Sequence, residues 1–240
     1  MSQPAIARFE SGLQVPTEMQ VRALCRAYRV TPAIRRELTN AARDLRSEST
    51  ATRPVLIKGT GWTIQARIGR IEQASTLIRD FQPLIIPGLL QTEEYMRAVF
   101  SQRMTADDRE RAIAERLKRQ RNLRREQQVR WVIPEGALLW QAGGPQVMAA
   151  QLNRIAKATT GQPVGIIPWT TPVDVFPVHG WTVYDQATAV VGTYAGTAFM
   201  SGPDVTALAE RFEALERLAV YGTEAAQVIA AVADRYRSLT

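Results

Sequence analysis

The chain has 240 residues, 45% hydrophobic and 22% charged, which is enough for two domains and excludes disorder throughout the chain. The chain has one cysteine, Cys25, and one histidine, His179, which argues against disulfides and metal sites. It has no long apolar run and no signal-peptide pattern, which argues against membrane association and export. The net charge is +3 in residues 1–50, +7 in residues 51–130 and −3 in residues 131–240, so a polyanion is favoured as the partner of the N-terminal half. We therefore expect a soluble cytoplasmic protein with no cofactor and no metal.

The first 46 residues carry the pattern of three short helices. Residues 2–11 form the first, with Ser2 as its N-cap. Thr17 caps the second helix, and Thr31 followed by Pro32 begins the third. The apolar positions expected to face a small core are Ile6, Phe9, Val21, Leu24, Cys25, Tyr28, Ile34, Leu38, Ala41, Ala42 and Leu45.

A linker and a run of helices are predicted next. Polar residues, a proline and two glycines interrupt the periodicity over residues 47–61, which we assign to the linker. Helical spacing continues from Trp62 to about Phe81, and helices follow over 93–100 and 107–126. The last of these is strongly basic, and one face either contacts DNA phosphate or is a solvated or protein-contacting face; its basic residues are Arg111, Lys118, Arg121 and Arg125.

The remainder of the chain alternates between strand and helix patterns. Strands are predicted over residues 129–133, 163–168, 176–184, 189–194 and 197–200. Helices are predicted over residues 146–158, 203–220 and 223–236. The fold class is therefore α+β, with an all-α N-terminal part followed by a mixed α/β domain over residues 62–237 that has a small sheet and flanking helices.

Two segments near the N-terminus carry a family resemblance. Residues 2–12 have the pattern Ser-Gln-Pro-x-Ile-x-Arg-Phe-Glu-x-Gly, and residues 16–28 have the pattern Pro-x-x-x-x-Val-x-Ala-Leu-Cys-x-Ala-Tyr. Together they resemble the second half of a Cro/λ-repressor-type (XRE) helix-turn-helix domain. The resemblance implies that the first helix is a recognition helix, whose polar N-terminal end enters the major groove of double-stranded DNA.

The resemblance also implies which residues contact DNA. It places Gln3 and Arg8 at base-facing positions, where Gln pairs with adenine and Arg with guanine. Gln14 falls where the family contacts phosphate. The complete set of expected DNA-binding residues is Ser2, Gln3, Pro4, Ala5, Arg8 and Gln14. A homodimer is expected, since paired half-sites require two-fold symmetry.

The beginning of the chain departs from the family pattern. The family has two further helices before the recognition helix, and Met1 stands where the family commonly has valine. We expect that an internal GTG codon was taken as the start, and that residues 1–46 are a partial helix-turn-helix domain. The alternative hypothesis is a ligand- or protein-binding sensor module that has lost competent DNA binding through this truncation.

The C-terminal domain carries a second resemblance. Residues 87–93 have the sequence Pro-Gly-Leu-Leu-Gln-Thr-Glu, residues 143–148 have Gly-Gly-Pro-Gln-Val-Met, and Arg119-Gln120 lies between them. Together they resemble the actinomycete regulatory domain, of unknown biochemical role, that commonly follows an XRE helix-turn-helix. The resemblance implies a transcription regulator with a small acidic or polar protein partner encoded nearby.

Little in this domain predicts catalysis. Glu135 and Asp185 are candidates for an acid–base pair, but their spacing does not require one, and residues 143–145 lack the Lys-Ser/Thr of a phosphate-binding loop. We therefore expect no enzyme activity and no catalytic residues. Core packing explains most of the five tryptophans, but Trp140 and Trp169 lie in loop-like stretches and leave open a pocket for a small-molecule effector.

Overall fold

A computed structural model describes residues 3–10, 16–47, 54–59, 61–100 and 104–239. The chain divides into two compact units, Met1–Thr52 and Arg53–Thr240. In its described part the first unit is helical, and the second combines a sheet with flanking helices. The α+β prediction is therefore confirmed. None of the helices within the described residues is both long and apolar enough to span a membrane.

The N-terminal unit consists, where described, of α1 (Gln3–Glu10), α2 (Glu18–Ala27) and α3 (Pro32–Ser47). Thr17 begins α2 with a reciprocal capping box: its hydroxyl accepts from the Gln20 amide at 3.1 Å, and its own amide donates to the Gln20 side chain at 2.8 Å. As predicted, Thr17 therefore caps the second helix.

The core between α2 and α3 is small. Val21, Cys25 and Ala42 are buried there, and Val30 packs against them half-buried. Three residues expected to face the core are instead exposed: Tyr28, Ile34 and Leu38. Helical spacing alone predicts which residues share a face, but this pair of helices covers only part of that face.

The C-terminal unit is organised around a sheet with seven strands among the described residues. The strands are β1 (Val55–Ile57), β2 (Leu77–Phe81), β3 (Gln128–Pro134), β4 (Val164–Ile167), β5 (Trp181–Tyr184), β6 (Thr188–Thr193) and β7 (Gly196–Met200). Their order across the sheet is β1-β7-β6-β5-β2-β3-β4. The pairs β2–β3 and β3–β4 are parallel, and the other pairs are antiparallel. The carboxyl ends of β2, β3 and β4 therefore meet at one edge of the sheet.

Helices pack on both faces of this sheet. They are α4 (Gly61–Ala74), α5 (Glu93–Val99), α6 (Ala106–Arg121), α7 (Glu135–Leu138), α8 (Pro145–Ala158), α9 (Pro203–Glu216) and α10 (Gly222–Arg237), with a 3₁₀ turn at Gly88–Leu90. Along β3, Trp131 and Ile133 join a core that includes residues of α8 and α10, whereas Val132 joins a second core with residues of α9. This alternation follows from the two-residue period of a strand and leaves β3 buried on both sides.

Two strands are absent from the sequence prediction, and β5 is shorter than the strand predicted over residues 176–184. Helical spacing predicted one helix from Trp62 to Phe81, but α4 ends at Ala74 and residues 77–81 form β2. Partners distant in sequence bind the carbonyls where the helix ends. The side-chain amide of Gln127 donates to the carbonyl of Glu72, in the last turn of α4, at 2.6 Å and to that of Ser75, just past the helix, at 2.7 Å.

The second difference lies in the predicted linker. Residues 55–57 form β1, which pairs antiparallel with β7. The hydrogen bonds of β1 come from a strand some 140 residues later in the chain, and local periodicity carries no signal of such a partner.

Candidate nucleic-acid interface

The first turn of α1 carries three of the six predicted DNA-binding residues. Gln3 and Pro4 are exposed there, and Ala5 is half-buried. Ile6 and Phe9, expected to face the core, are half-buried. The structure therefore places α1 as an amphipathic helix whose polar N-terminal end is accessible.

The other predicted residues lie at the limits of the description. Ser2 and Gln14 lie outside the described residues. The backbone of Arg8 is part of α1, but the structure does not describe the side chain of this residue. The assignment of all six residues to DNA contact stays a prediction.

A basic cleft, which sequence reasoning missed, lies between α2 and α3. We define it by the exposed residues Arg22, Arg26, Arg35 and Arg36, with a volume of about 600 Å³. The buried Thr39 lies at its base and uses its hydroxyl to donate to the Arg35 carbonyl at 2.7 Å. The signal was available in the sequence, because Arg22 and Arg26 are one helical turn apart, and Arg35 and Arg36 are adjacent on the next helix.

Helix α6, the basic helix of the sequence analysis, has two distinct faces. The residues of its predicted basic face, which extends one turn past its end, are exposed: Arg111, Lys118, Arg121 and Arg125. The opposite face is inward and contains Ala112 and Ile113 together with two further arginines, Arg116 and Arg119. Because the inward stripe of α6 continues through charged residues, its buried face was not recognised from apolar spacing.

Arg119 joins α6 to α4 through a buried ion pair. Its guanidinium donates to both carboxylate oxygens of Glu72 at 2.8 and 2.6 Å, and it also donates to the side-chain oxygen of Gln65. The side chains of Arg119 and Glu72 are 8% and 6% exposed, so the pair is withdrawn from solvent. Burial opposes the charge of Arg119, but the Glu72 carboxylate outweighs it, and the pKa of Arg119 is raised.

Arg116 lies beside this pair. Its guanidinium donates to the side-chain oxygens of Gln65 and Gln91, and it lies 4.4 Å from the centre of the Phe100 ring. Burial, with the nearby charge of Arg119, lowers the pKa of Arg116 to about 9. Neutral amide oxygens and an aromatic face thus accommodate a second buried cation.

Arg116, through Gln91, and several glutamines hold the Pro-Gly-Leu-Leu-Gln-Thr segment in place. The Gln120 amide donates to the Gly88 and Gln91 carbonyls at 3.0 and 2.9 Å. From α8, the Gln151 amide donates to the Leu90 carbonyl at 2.8 Å, and its oxygen accepts from the Thr92 amide at 2.7 Å. The segment that carries the second family resemblance therefore connects α6 and α8 through hydrogen bonds to side chains of both helices.

The two carboxylates considered for acid–base chemistry are not brought together. Asp185 accepts from the amides of Thr76 and Leu77, at the beginning of β2. Glu135 follows the end of β3 and accepts from the Trp169 amide at 2.9 Å. They lie at opposite ends of the parallel strands. Within the described parts of the chain, histidine, cysteine and acidic side chains form no cluster of three or more suited to a metal ion.

Comparisons with known proteins agree with this division of the chain. Residues 65–231 match the family described as a domain of unknown function (DUF5753), and residues 1–38 match a helix-turn-helix domain. None of the curated proteins matches the chain. The first match spans more than half of the chain, so the chain belongs to the DUF5753 family. The prediction of a helix-turn-helix region is confirmed.

Proposed function

We propose that this member of the DUF5753 family is a cytoplasmic, sequence-specific transcription regulator of the Cro/λ-repressor type. The observation that carries the proposal is the helix-turn-helix match over residues 1–38, within which α1 presents an accessible polar end at Gln3. In this proposal α1 enters the major groove, and the protein binds as a homodimer on paired half-sites.

Two residues of α1 distinguish bases. Gln3 forms paired hydrogen bonds with adenine, and Arg8 does so with guanine. The end of the helix that enters the groove also brings Ser2, Pro4 and Ala5 close to the DNA. Gln14, which follows the helix, contacts phosphate. Support comes from the resemblance of the Ser-Gln-Pro segment and from the exposure of Gln3 and Pro4 at the first turn.

The basic cleft supplies part of the electrostatic attraction. Its four arginines are exposed, and Arg22 lies 3.8 Å from Glu18 in an ion pair between solvated groups. Solvated arginines bind phosphate at little desolvation cost, and each contact releases counterions from DNA. We infer that the cleft contacts the DNA backbone without reading its sequence.

A selection experiment tests the base-reading residues. The full chain is incubated with a random duplex library, and the bound sequences are determined. We expect one enriched motif, and Gln3→Ala or Arg8→Ala should each weaken binding to it about 5- to 150-fold and relax one position of the motif. Arg211→Ala, which removes an exposed arginine of α9, is the matched control. An unchanged motif and affinity in both α1 variants would refute the assignment.

The cleft is tested by salt dependence. For Arg35→Ala/Arg36→Ala, the slope of log affinity against log salt should become shallower by about one per arginine, while the enriched motif stays the same. The control pair Arg211→Ala/Arg217→Ala, with Arg211 exposed on α9 and Arg217 exposed just past its end, should leave the slope at its wild-type value. Equal slopes for the cleft variant and the wild-type protein would remove the cleft from the interface.

A further inference from the structure

A cavity opens at the edge of the sheet where the three parallel strands end. Phe81 at the end of β2, Pro134 at the end of β3 and Ile167 at the end of β4 all line it, and its volume is about 440 Å³. This volume falls within the range of small-molecule sites. The carboxyl edge of neighbouring parallel strands is also where ligands bind in many open α/β sheets, because the chain turns away there and leaves a crevice.

The lining of this cavity is uncharged and mostly apolar. None of the side chains that line it is ionisable, and the segment after β4 contributes Trp169, Phe176 and Val178. These three residues are 74%, 80% and 87% exposed, so a large part of the apolar wall is accessible to solvent. An apolar surface gathered around a concave space gains free energy when a ligand covers it.

Trp169 is held in place by α7. Its backbone amide donates to Glu135 at 2.9 Å, which ties the residue to the beginning of that helix. A Cβ added at Gly136 would lie 2.8 Å from the Trp169 ring, so the absence of a side chain there lets the indole lie against the helix backbone. The ring is thus a built wall of the cavity.

The surroundings disfavour a peptide strand as the occupant. Four prolines line the cavity and offer no amide donors: Pro83, Pro134, Pro168 and Pro177. On β4, Ile166 already exchanges backbone hydrogen bonds with Val220, at 3.0 and 2.8 Å. A strand that pairs through its backbone therefore finds few partners here, whereas a compact molecule needs only the apolar walls.

We propose that this cavity binds a small uncharged molecule with an aromatic body, which lies against Trp169 and Phe176. The absence of ionisable lining side chains selects a neutral ligand, since a buried charge would have no partner. The two aromatic rings favour a planar ligand through stacking or edge contacts. This proposal does not depend on DNA binding by the N-terminal unit.

Titration with an uncharged aromatic fluorophore tests the proposal. N-phenyl-1-naphthylamine is added to the full-length protein, and its emission is followed. We expect saturable binding to one site per chain, and Trp169→Ala should weaken it about tenfold or more. Trp140→Ala is the matched control, because Trp140 is also well exposed, at 63%, but does not line this cavity. Equal loss or equal retention of binding in the two variants would overturn the proposal.

Two further variants test whether binding needs the uncharged wall at Phe176, and they keep the result independent of folding. Phe176→Asp and Phe176→Lys alter an exposed side chain, so circular dichroism should match the wild-type protein while both variants weaken binding of the probe. Unchanged or tighter binding in either variant would show that the probe does not lie against an uncharged wall at Phe176, and would overturn the proposal. Sedimentation velocity tests whether the chain self-associates through the cavity. Self-association that Trp169→Ala abolishes would show that a second copy of the chain, and not a small molecule, occupies the cavity, and would overturn the proposal.

Discussion

In the N-terminal unit, Arg22, Arg35 and Arg36 lie on the surface around a cleft, whereas in the C-terminal unit Arg116 and Arg119 lie inside the domain. Exposed arginines create a positive electrostatic potential that attracts a polyanion. Buried arginines instead form hydrogen bonds with Glu72, Gln65 and Gln91 in place of water, and these bonds connect α6 to α4 and to the segment near Gln91. The net charge of a segment therefore predicts a polyanion partner only for the charges that stay at the surface.

The two units also differ in how their helices are secured. The described core of the N-terminal unit is small and includes Val21, Cys25 and Ala42. In the C-terminal unit, buried apolar clusters cover both faces of the sheet. Local interactions such as helix caps should therefore account for a larger share of stability in the N-terminal unit.

The largest effect is expected from breaking the buried ion pair. Arg119→Ala leaves the Glu72 carboxylate buried without its partner and should lower the free energy of unfolding by about 3–5 kcal/mol. All five tryptophans lie between residues 62 and 181, so denaturation followed by tryptophan fluorescence reports on the C-terminal unit. Arg121→Ala, on the exposed end of the same helix, is the control and should change stability by less than about 0.5 kcal/mol. Similar values for the two variants would show that burial does not distinguish the arginines.

A smaller effect, with a defined pH dependence, is expected from Asp80 on β2. Burial raises the pKa of Asp80 to about 6, although hydrogen bonds from Gln82 and Thr182 favour the charged form. The folded state therefore retains a proton that the unfolded state loses near pH 4. The free energy of unfolding should fall as the pH rises from about 4 to about 6, and this contribution is constant above that range.

Asp80→Asn removes this titration while its oxygen can still accept from Gln82 and Thr182. Its stability should vary less between about pH 4 and 6, and above pH 6 it should gain about 2–3 kcal/mol relative to the wild-type protein. Denaturant midpoints measured across this range test the prediction. Asp234→Asn, at an exposed site on α10, should reproduce the wild-type profile. A wild-type profile for Asp80→Asn as well would show that Asp80 is not the titrating group.

The smallest effect concerns the cap of α2. Thr17→Ala removes the capping box and should destabilise the N-terminal unit by about 1 kcal/mol, seen as faster amide exchange in α2. Thr31→Ala is the comparison, because its hydroxyl accepts from the Ile34 amide at a longer 3.4 Å and should contribute less. If exchange in α2 is unchanged, tertiary packing and not the cap limits opening of this helix.

Much of the fold could be predicted because its signals are local. The capping threonines, the Gly-Gly-Pro start of α8 and the strand-forming residues of β3 to β7 each act within one element. The segment from Leu77 to Phe81 was wrongly predicted as helix, because its local pattern does not distinguish a strand from a helix. A central strand buried on both faces lacks alternation, and its Ile78 also fits the helical spacing of α4.

The candidate sites could be predicted only in part. The polar end of α1 was recognised through its resemblance to a recognition helix, and Trp169 through its place in a loop. The inward direction of Arg116 and Arg119 was missed, because charged residues on a helix normally face solvent and only the partners on α4 and near Gln91 make their burial tolerable.

By itself, the sequence determined the α+β division, the helix starts and the helix-turn-helix pattern, since caps and periodicity act over a few neighbouring residues. Only the tertiary structure decided that residues 55–57 pair with β7, that α4 ends where Gln127 binds its carbonyls, and that three strand ends enclose a cavity. Each of these features depends on contacts between residues far apart in the chain. Such contacts form only when the whole domain has folded, and local sequence carries no record of them.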